Sequence, residues 1–247
     1  MKKLLLGTAL SLAMASGASA ADMFIKAPPP YNWTGFYVGG NVGYSWGNSN
    51  TTVDFFDTVI GVLLTSTPGS FGMNGVVGGG QAGYNWQTGR WVWGLEADIQ
   101  ASGQQGSATF ACGAACPVPG TTATIDEKLE WFGTARARLG YTVTPTVLAY
   151  VTGGLAYGEI SMNGLGSPNP NTLSVSPWRA GWTVGGGIEA ALGRGWTGKI
   201  EYLYMNLGSV FGNDAFVPPP PPVHPTGFSA GSAFTDNILR VGANYRF

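Results

Sequence analysis

Residues 33–47 read WTGFYVGGNVGYSWG, and their alternation decides the fold. Phe36, Val38, Gly40, Val42, Tyr44 and Trp46 take the even positions, whereas Tyr37, Gly39, Asn41, Gly43 and Ser45 are smaller or more polar. A period of two places the first set on one face of a β-strand and the second on the other. Seven further stretches carry a version of this pattern, near 75–87, 91–102, 127–141, 146–158, 178–192, 196–207 and 234–247. In the third of the eight, Trp91, Trp93, Leu95, Ala97 and Ile99 oppose Gly94, Glu96, Asp98 and Gln100. In the fourth, Leu129, Trp131, Ala135, Ala137 and Leu139 oppose Lys128, Glu130, Arg136 and Arg138. The seventh is less regular, because Leu203 and Met205 fall on its polar face.

Composition says what the apolar faces meet. Only 10% of the 247 residues are charged, where a soluble domain carries about 25%. Glycine supplies 40 positions and aromatic rings 13% of the chain. The formal net charge is -1, with the charges scattered singly, which excludes a nucleic-acid partner. A soluble eight-stranded calyx would need the missing charge on its outside. In lipid, backbone polar groups tolerate no open sheet edge, so strands that enter a membrane must close on themselves. The pattern therefore predicts an all-β fold, an eight-stranded antiparallel up-and-down transmembrane β-barrel in the outer membrane, with the surrounding lipid as its first partner.

The ends and connections agree. Met1-Lys2-Lys3, the apolar run 4–15 and Ala18-Ser19-Ala20 form a secretory signal peptide over 1–20. The run is shorter than the roughly 20 residues of a spanning helix. Residues 21–32 read as a proline-rich periplasmic linker, and 33–247 as the barrel. Tight turns at Gly89, at 142–145 and at Gly193-Arg194-Gly195 alternate with long connections near 48–74, 103–126, 159–177 and 208–233. Outer-membrane barrels have this arrangement, short periplasmic turns and long outer loops. If the first strand runs outward, Trp33, Phe36, Trp86, Trp91, Trp93, Tyr141, Trp196, Tyr245 and Phe247 gather at the periplasmic interface. Tyr44, Trp46, Trp131, Tyr157, Trp178, Trp182, Tyr204 and Phe234 gather at the outer one. Two girdles are what amphipathic rings form at the headgroup levels.

Ala21-Asp22-Met23, the Lys26-Ala27-Pro28-Pro29-Pro30 linker, residues 33–39, residues 43–47 and the ending Val241-Gly242-Ala243-Asn244-Tyr245-Arg246-Phe247 together resemble the small outer-membrane immunogenic or surface-antigen proteins of alphaproteobacteria. The likeness covers essentially the whole mature chain. It implies an eight-stranded barrel like the OmpA transmembrane domain, grouped with porin-like proteins and without an agreed biochemical activity. It also implies that Phe247, with Tyr245 two residues before it, is the signal read by the barrel-assembly machinery during insertion.

The candidate sites follow from parity. The inward faces are expected to carry Glu96, Asp98, Lys128, Glu130, Arg136, Arg138, Arg179, Glu189, Lys199, Glu201, Arg240 and Arg246. An eight-stranded barrel is just wide enough for side chains to fill, and unpaired buried charge is costly, so these groups should pair into a lumen network. That network is either a stiffening plug or the wall of a narrow ion path. Cys112 and Cys116, exported into an oxidising compartment, are expected to form a local disulfide; metal binding would need further ligands. His224, the lone histidine, sits in a proline-rich outer loop whose 218–222 segment reads as a polyproline II spacer. Residues 54–64 are apolar for an outer loop and would prolong the first hairpin, fold over the mouth or meet a partner.

No cofactor, metal or catalytic constellation is expected. Hydrolytic triads usually need a histidine base, and His224 has no recognisable partner, so an enzyme acting on lipid or peptide is disfavoured. A large-pore porin needs about 16 strands. The leading reading is a structural surface protein whose loops serve integrity, recognition or adhesion through a host or surface ligand. The alternative is a narrow channel for ions or very small solutes.

Overall fold

Alternating side chains and tight reversals build the protein from antiparallel hairpins. The computed structural model describes residues 31–168, 171–213 and 226–247. The segment expected to be a signal peptide, all but the last two residues of the expected linker, His224 and the 218–222 segment lie outside the described residues. Among these the strands are β1 (Gly35–Asp57), β2 (Val62–Thr88), β3 (Trp91–Ala111), β4 (Thr122–Thr144), β5 (Val147–Ser167), β6 (Thr172–Val175), β7 (Trp178–Gly193), β8 (Trp196–Asn213) and β9 (Thr226–Arg246). Eight of them pair in a ring in the order β1-β2-β3-β4-β5-β7-β8-β9, all antiparallel, and β9 returns to β1. Val42 marks the closure, opposite Gly78 of β2 on one side and Val241 of β9 on the other. The short β6 pairs only with the upper end of β5. In the turn from β7 to β8, Gly193, Arg194 and Gly195 all have positive φ (94°, 51° and 82°), a run of left-handed residues that two glycines make affordable.

Parity sorts the faces. Val42, Ile99, Leu139, Val151, Ile188, Ile200 and Val241 point outward into the lipid band. Aromatic rings bound that band. Below it, Trp86 stacks on Trp93 at 4.4 Å, Trp91 meets Tyr141 at 5.3 Å, and Trp196 meets Tyr245 at 5.3 Å. Above it, Trp131 packs on Trp178 at 5.1 Å, Trp182 on Tyr204 at 5.4 Å, and Trp46 on Tyr202 at 6.4 Å. Two of the rings assigned to the girdles belong elsewhere. Trp33 is fully buried with Val92, Leu148, Tyr150 and Tyr31 in a small cluster. Phe234 shares parity with inward Arg240, and it too is buried.

The long outer loops are, for the most part, not loops. β1 and β2 keep pairing beyond the outer girdle as far as Asp57 and Val62, so 54–64 prolongs the first hairpin. β3 and β4 pair up to Ala111 and Thr122. β1 has 23 residues, about twice what a tilted membrane strand requires. The extension holds because its interior is apolar. Val53, Phe55, Met73, Phe110, Ile125, Leu129, Ile160, Met162, Leu207 and Phe228 are buried in one cluster. Leu203 and Met205 belong to it as well, which accounts for their place on an otherwise polar face. The burial of each such side chain contributes about 1.5–3 kcal/mol, so the upper barrel is a packed body rather than a rim of loops.

Candidate functional site: the barrel lumen

Inside the lipid-spanning half, the inward positions are charged, and strand register brings opposite signs side by side. Glu96 on β3 stands opposite Arg136 on β4. Glu189 on β7 stands opposite Lys199 on β8, and Glu201 on β8 opposite Arg240 on β9. Cross-strand pairs of this kind favour the sheet, but here the side chains also cross the bore. Arg136 contacts Glu96, reaches Asp98 at 2.9 Å and Glu201 at 3.1 Å. Arg138 reaches Glu189 at 2.7 Å and Glu96 at 3.5 Å. Lys199 lies 3.0 Å from Glu96 and 3.8 Å from Glu201. Arg240 lies 2.9 Å from Asp98 and 2.6 Å from Glu201.

Four bases therefore meet four acids, and every one of these side chains is almost wholly removed from solvent. Neutral groups complete the layer. The Tyr37 hydroxyl donates to Glu96 (2.8 Å) and accepts from Arg138 (3.0 Å). Tyr150 donates to Glu201 (3.0 Å), and its ring lies 3.9 Å beneath the Arg138 guanidinium. Thr134 donates to Asp98 (2.9 Å); Thr197 and Asn244 donate to Glu189 (2.6 and 3.0 Å). Gly83 makes room for this layer, since a Cβ there would run into the Tyr37 ring. An exposed ion pair is worth little, but a buried one that loses a partner strands a charge. The chemistry of the layer is thus mutual neutralisation in a filled bore.

Four of the twelve charged residues assigned to this network lie elsewhere. Lys128 and Glu130 form a pair at 3.2 Å on the outside wall, each about half exposed. The register shifts between Leu129 and Trp131, and this bulge reverses parity, turning Leu129 inward and its two neighbours out. Arg179 keeps the inward parity of Thr183 and Glu189, as expected, but it lies nearer the outer end of β7, half-buried and without an ion pair to a described residue. Arg246 serves the periplasmic end: it donates to the carbonyls of Asn32 and Thr34 and lies 4.8 Å from the Tyr31 ring centre.

The structure also places two acids that the sequence did not single out. Asp236 on β9 accepts from Ser45 (2.5 Å) and Gln104 (3.0 Å), well inside the wall. Glu127 on β4 lies higher, beyond the outer girdle, where burial pushes its carboxyl above the usual carboxylate range against the opposing pull of Ser49, Ser232 and Thr51. Parity relative to the buried Ile125 and Leu129 was the signal that could have identified it. No group of three or more His, Cys, Asp or Glu among the described residues is arranged to hold a metal.

Cys112 and Cys116 are joined in a disulfide with Cα atoms 5.8 Å apart. The bridge closes the short turn Gly113–Ala115 between β3 and β4, and both sulfurs sit in the upper apolar cluster. At the other end, Tyr245 faces outward, and the exposed Phe247 ring packs on Phe36 (5.9 Å) and Tyr245 (5.3 Å). The Phe247 amide donates to the Phe36 carbonyl at 3.1 Å.

This closed, girdled ring has relatives. The family model described as outer membrane protein beta-barrel domain matches residues 8–247. The 31 kDa outer-membrane immunogenic protein of Brucella melitensis biotype 1 is 36% identical over 268 aligned positions that span all of both chains. A 22 kDa outer membrane protein of Rhizobium leguminosarum bv. viciae is 29% identical over 85% of this chain and 87% of its own. Among solved structures, OprG of Pseudomonas aeruginosa is similar at 12% identity with a TM-score of 0.47, over 88% of this chain and 99% of that one. The chain accordingly belongs to the outer-membrane β-barrel family that includes the immunogenic outer-membrane proteins of alphaproteobacteria, and the outer membrane is its location.

Proposed function

We propose that this protein is a structural surface protein rather than a conduit or an enzyme. The barrel anchors a stiff β-walled head above the membrane, and the head presents its hairpin tips for integrity, recognition or adhesion. The observation that carries this reading is the buried charge layer, in which Arg136, Arg138, Lys199 and Arg240 close the bore against Glu96, Asp98, Glu189 and Glu201. A lumen filled in this way favours anchoring over transport. The same neutralised carboxylates are poorly suited to general acid-base work, which needs a group poised to exchange protons with a substrate. Display is supported by the tip of the first hairpin, where Val59, Ile60, Val62 and Leu63 are all well exposed, chemistry suited to a ligand with apolar surface. The description of the Brucella relatives as immunogenic fits a head that is visible from outside.

Tyr245 and Phe247 supply the terminal aromatic pattern offered to the barrel-assembly machinery, and outer-membrane lipid is the lasting partner of the wall. The test is transport by the refolded mature protein. Liposomes should stay impermeable to sugars and amino acids, and planar bilayers should show at most small, flickering conductance. Steady currents of large amplitude, or liposome swelling in a disaccharide, would replace this reading with that of a narrow channel.

A further inference from the structure

The basic side chains of the lumen network are all engaged by its four acids, yet another carboxylate is enclosed above them. Glu127 points inward from β4 between Ile125 and Leu129, with Met162 opposite on β5. It is 2% exposed. Neither of its oxygens has a hydrogen-bond partner among the described residues. Its neighbour Lys128 is turned out of the barrel towards Glu130, and Glu127 forms no ion pair with a described residue.

What faces Glu127 is a set of hydroxyls from the far side of the bore. Ser49 and Thr51 come from β1 and Ser232 from β9, all three buried. Ser49 Oγ lies 3.0 Å from Thr51 Oγ1 and 2.5 Å from Ser232 Oγ. They are near enough to act on the carboxyl, although neither carboxylate oxygen is in bonding geometry with them. An ionised carboxylate enclosed by apolar side chains without a counter-charge is heavily penalised. Hydroxyl oxygens have lone pairs as well as a proton, so these three can turn acceptors towards a cation that the carboxylate attracts.

The donor set selects the kind of ion. All the ligands are hard oxygens, which disfavours soft transition metals. They carry a single negative charge, whereas calcium sites gather several carboxylates, and magnesium keeps part of its water shell. We propose that Glu127, Ser49, Thr51 and Ser232 form an internal binding site for one monovalent alkali cation of sodium size, in the outer half of the barrel. The ion would neutralise Glu127 and tie β4 to β1 and β9 across the apolar interior.

The experiment uses the full mature protein, refolded in detergent at constant ionic strength in sodium, potassium or N-methylglucamine chloride. The last cation is too bulky to enter. Equilibrium dialysis with radioactive sodium should find one saturable ion per chain, and sodium should raise the unfolding midpoint where N-methylglucamine does not. Glu127→Gln should abolish both effects and, freed of its buried charge, be more stable than the wild type in N-methylglucamine. Glu130→Gln, on the outer wall, should bind sodium normally. Ser232→Ala should weaken binding by roughly tenfold or more, since losing even a group behind the ligands costs that much in other metal sites, and it carries the test if Glu127→Gln does not fold. Absence of bound sodium overturns the site, as does undiminished binding in either Glu127→Gln or Ser232→Ala. A wild-type midpoint that follows pH but is the same in all three salts assigns the carboxylate to a proton and equally overturns it.

Discussion

Arg240 on β9 and Asp98 on β3 meet at 2.9 Å, although β1 and β2 stand between their strands in the wall. The contact runs along a chord of the ring rather than along the sheet. It ties together residues 142 positions apart in sequence and joins strands that are not neighbours in the wall.

Glu96 is the member of this layer with the most basic neighbours, touching Arg136, Arg138 and Lys199 and lying 3.9 Å from Arg240. Glu96→Gln should destabilise the barrel by about 3–5 kcal/mol, the range for breaking a buried pair from one side. Urea unfolding of the refolded protein measures this, and a wild-type midpoint would mean the layer is not under electrostatic constraint.

The bulge on β4 predicts opposite behaviour for neighbours. Leu129→Ala opens a cavity in the upper interior and should cost about 2–5 kcal/mol. Glu130→Ala removes half of an exposed ion pair and should change stability by no more than about 0.5 kcal/mol. Similar losses at both positions would show that parity is not reversed there.

Ile200 lies on the lipid side between Ile188 and Val241, midway between the girdles. Ile200→Arg should cost about 2–4 kcal/mol on folding into bilayers, as a basic residue does at the midplane. Val184 faces lipid too, but it sits beside Tyr204 of the outer girdle, so Val184→Arg should cost less. A larger cost at Val184 would require the lipid band to be moved outward.

Removing Phe247 deletes a ring that packs on Phe36 and Tyr245 but leaves the lumen and the upper core untouched. Assembly in cells should fall far more than refolding yield in detergent. Equal surface abundance with and without Phe247 would remove its role as an assembly signal.

Folding raises the affinity of Glu127 for a proton, because burial disfavours its charged form. The folded state then binds more protons than the unfolded one just above the usual carboxylate range. In N-methylglucamine, stability should therefore rise as pH falls through that window and decline as pH climbs out of it. Ser49, Thr51 and Ser232, the groups that face it, do not titrate there. Glu127→Gln should remove this component of the slope, and an unchanged slope would show that other carboxyls account for it.

The membrane wall was legible in the sequence because lipid demands a strict period of two, and residues 33–47 or 91–102 depart from it little. The interior was less so. Periodicity assigns a face but not a position around the ring, so the partners of Arg240 could not be read from it. The bulge beside Trp131 was hidden, because Leu129, Glu130 and Trp131 satisfy the alternation in either parity. Residues 48–74 are rich in Ser, Thr, Asn and Gly, which read as turn signals but serve there as small side chains on the two faces of a ladder. Leu203 and Met205 were the visible hint that the bore changes character partway up.

A head with an apolar interior has consequences for whatever inspects the cell from outside. Along β1 above the girdle, Thr51, Val53 and Phe55 are hidden, while Asn50, Thr52 and Asp54 face outward. A short peptide copied from this stretch displays both sets at once, whereas the folded protein displays alternate side chains set beside those of neighbouring strands. Antibodies raised against such a peptide and antibodies raised against intact cells should therefore recognise largely different chemistry. Variation that escapes the second kind can accumulate at every other position without disturbing the fold.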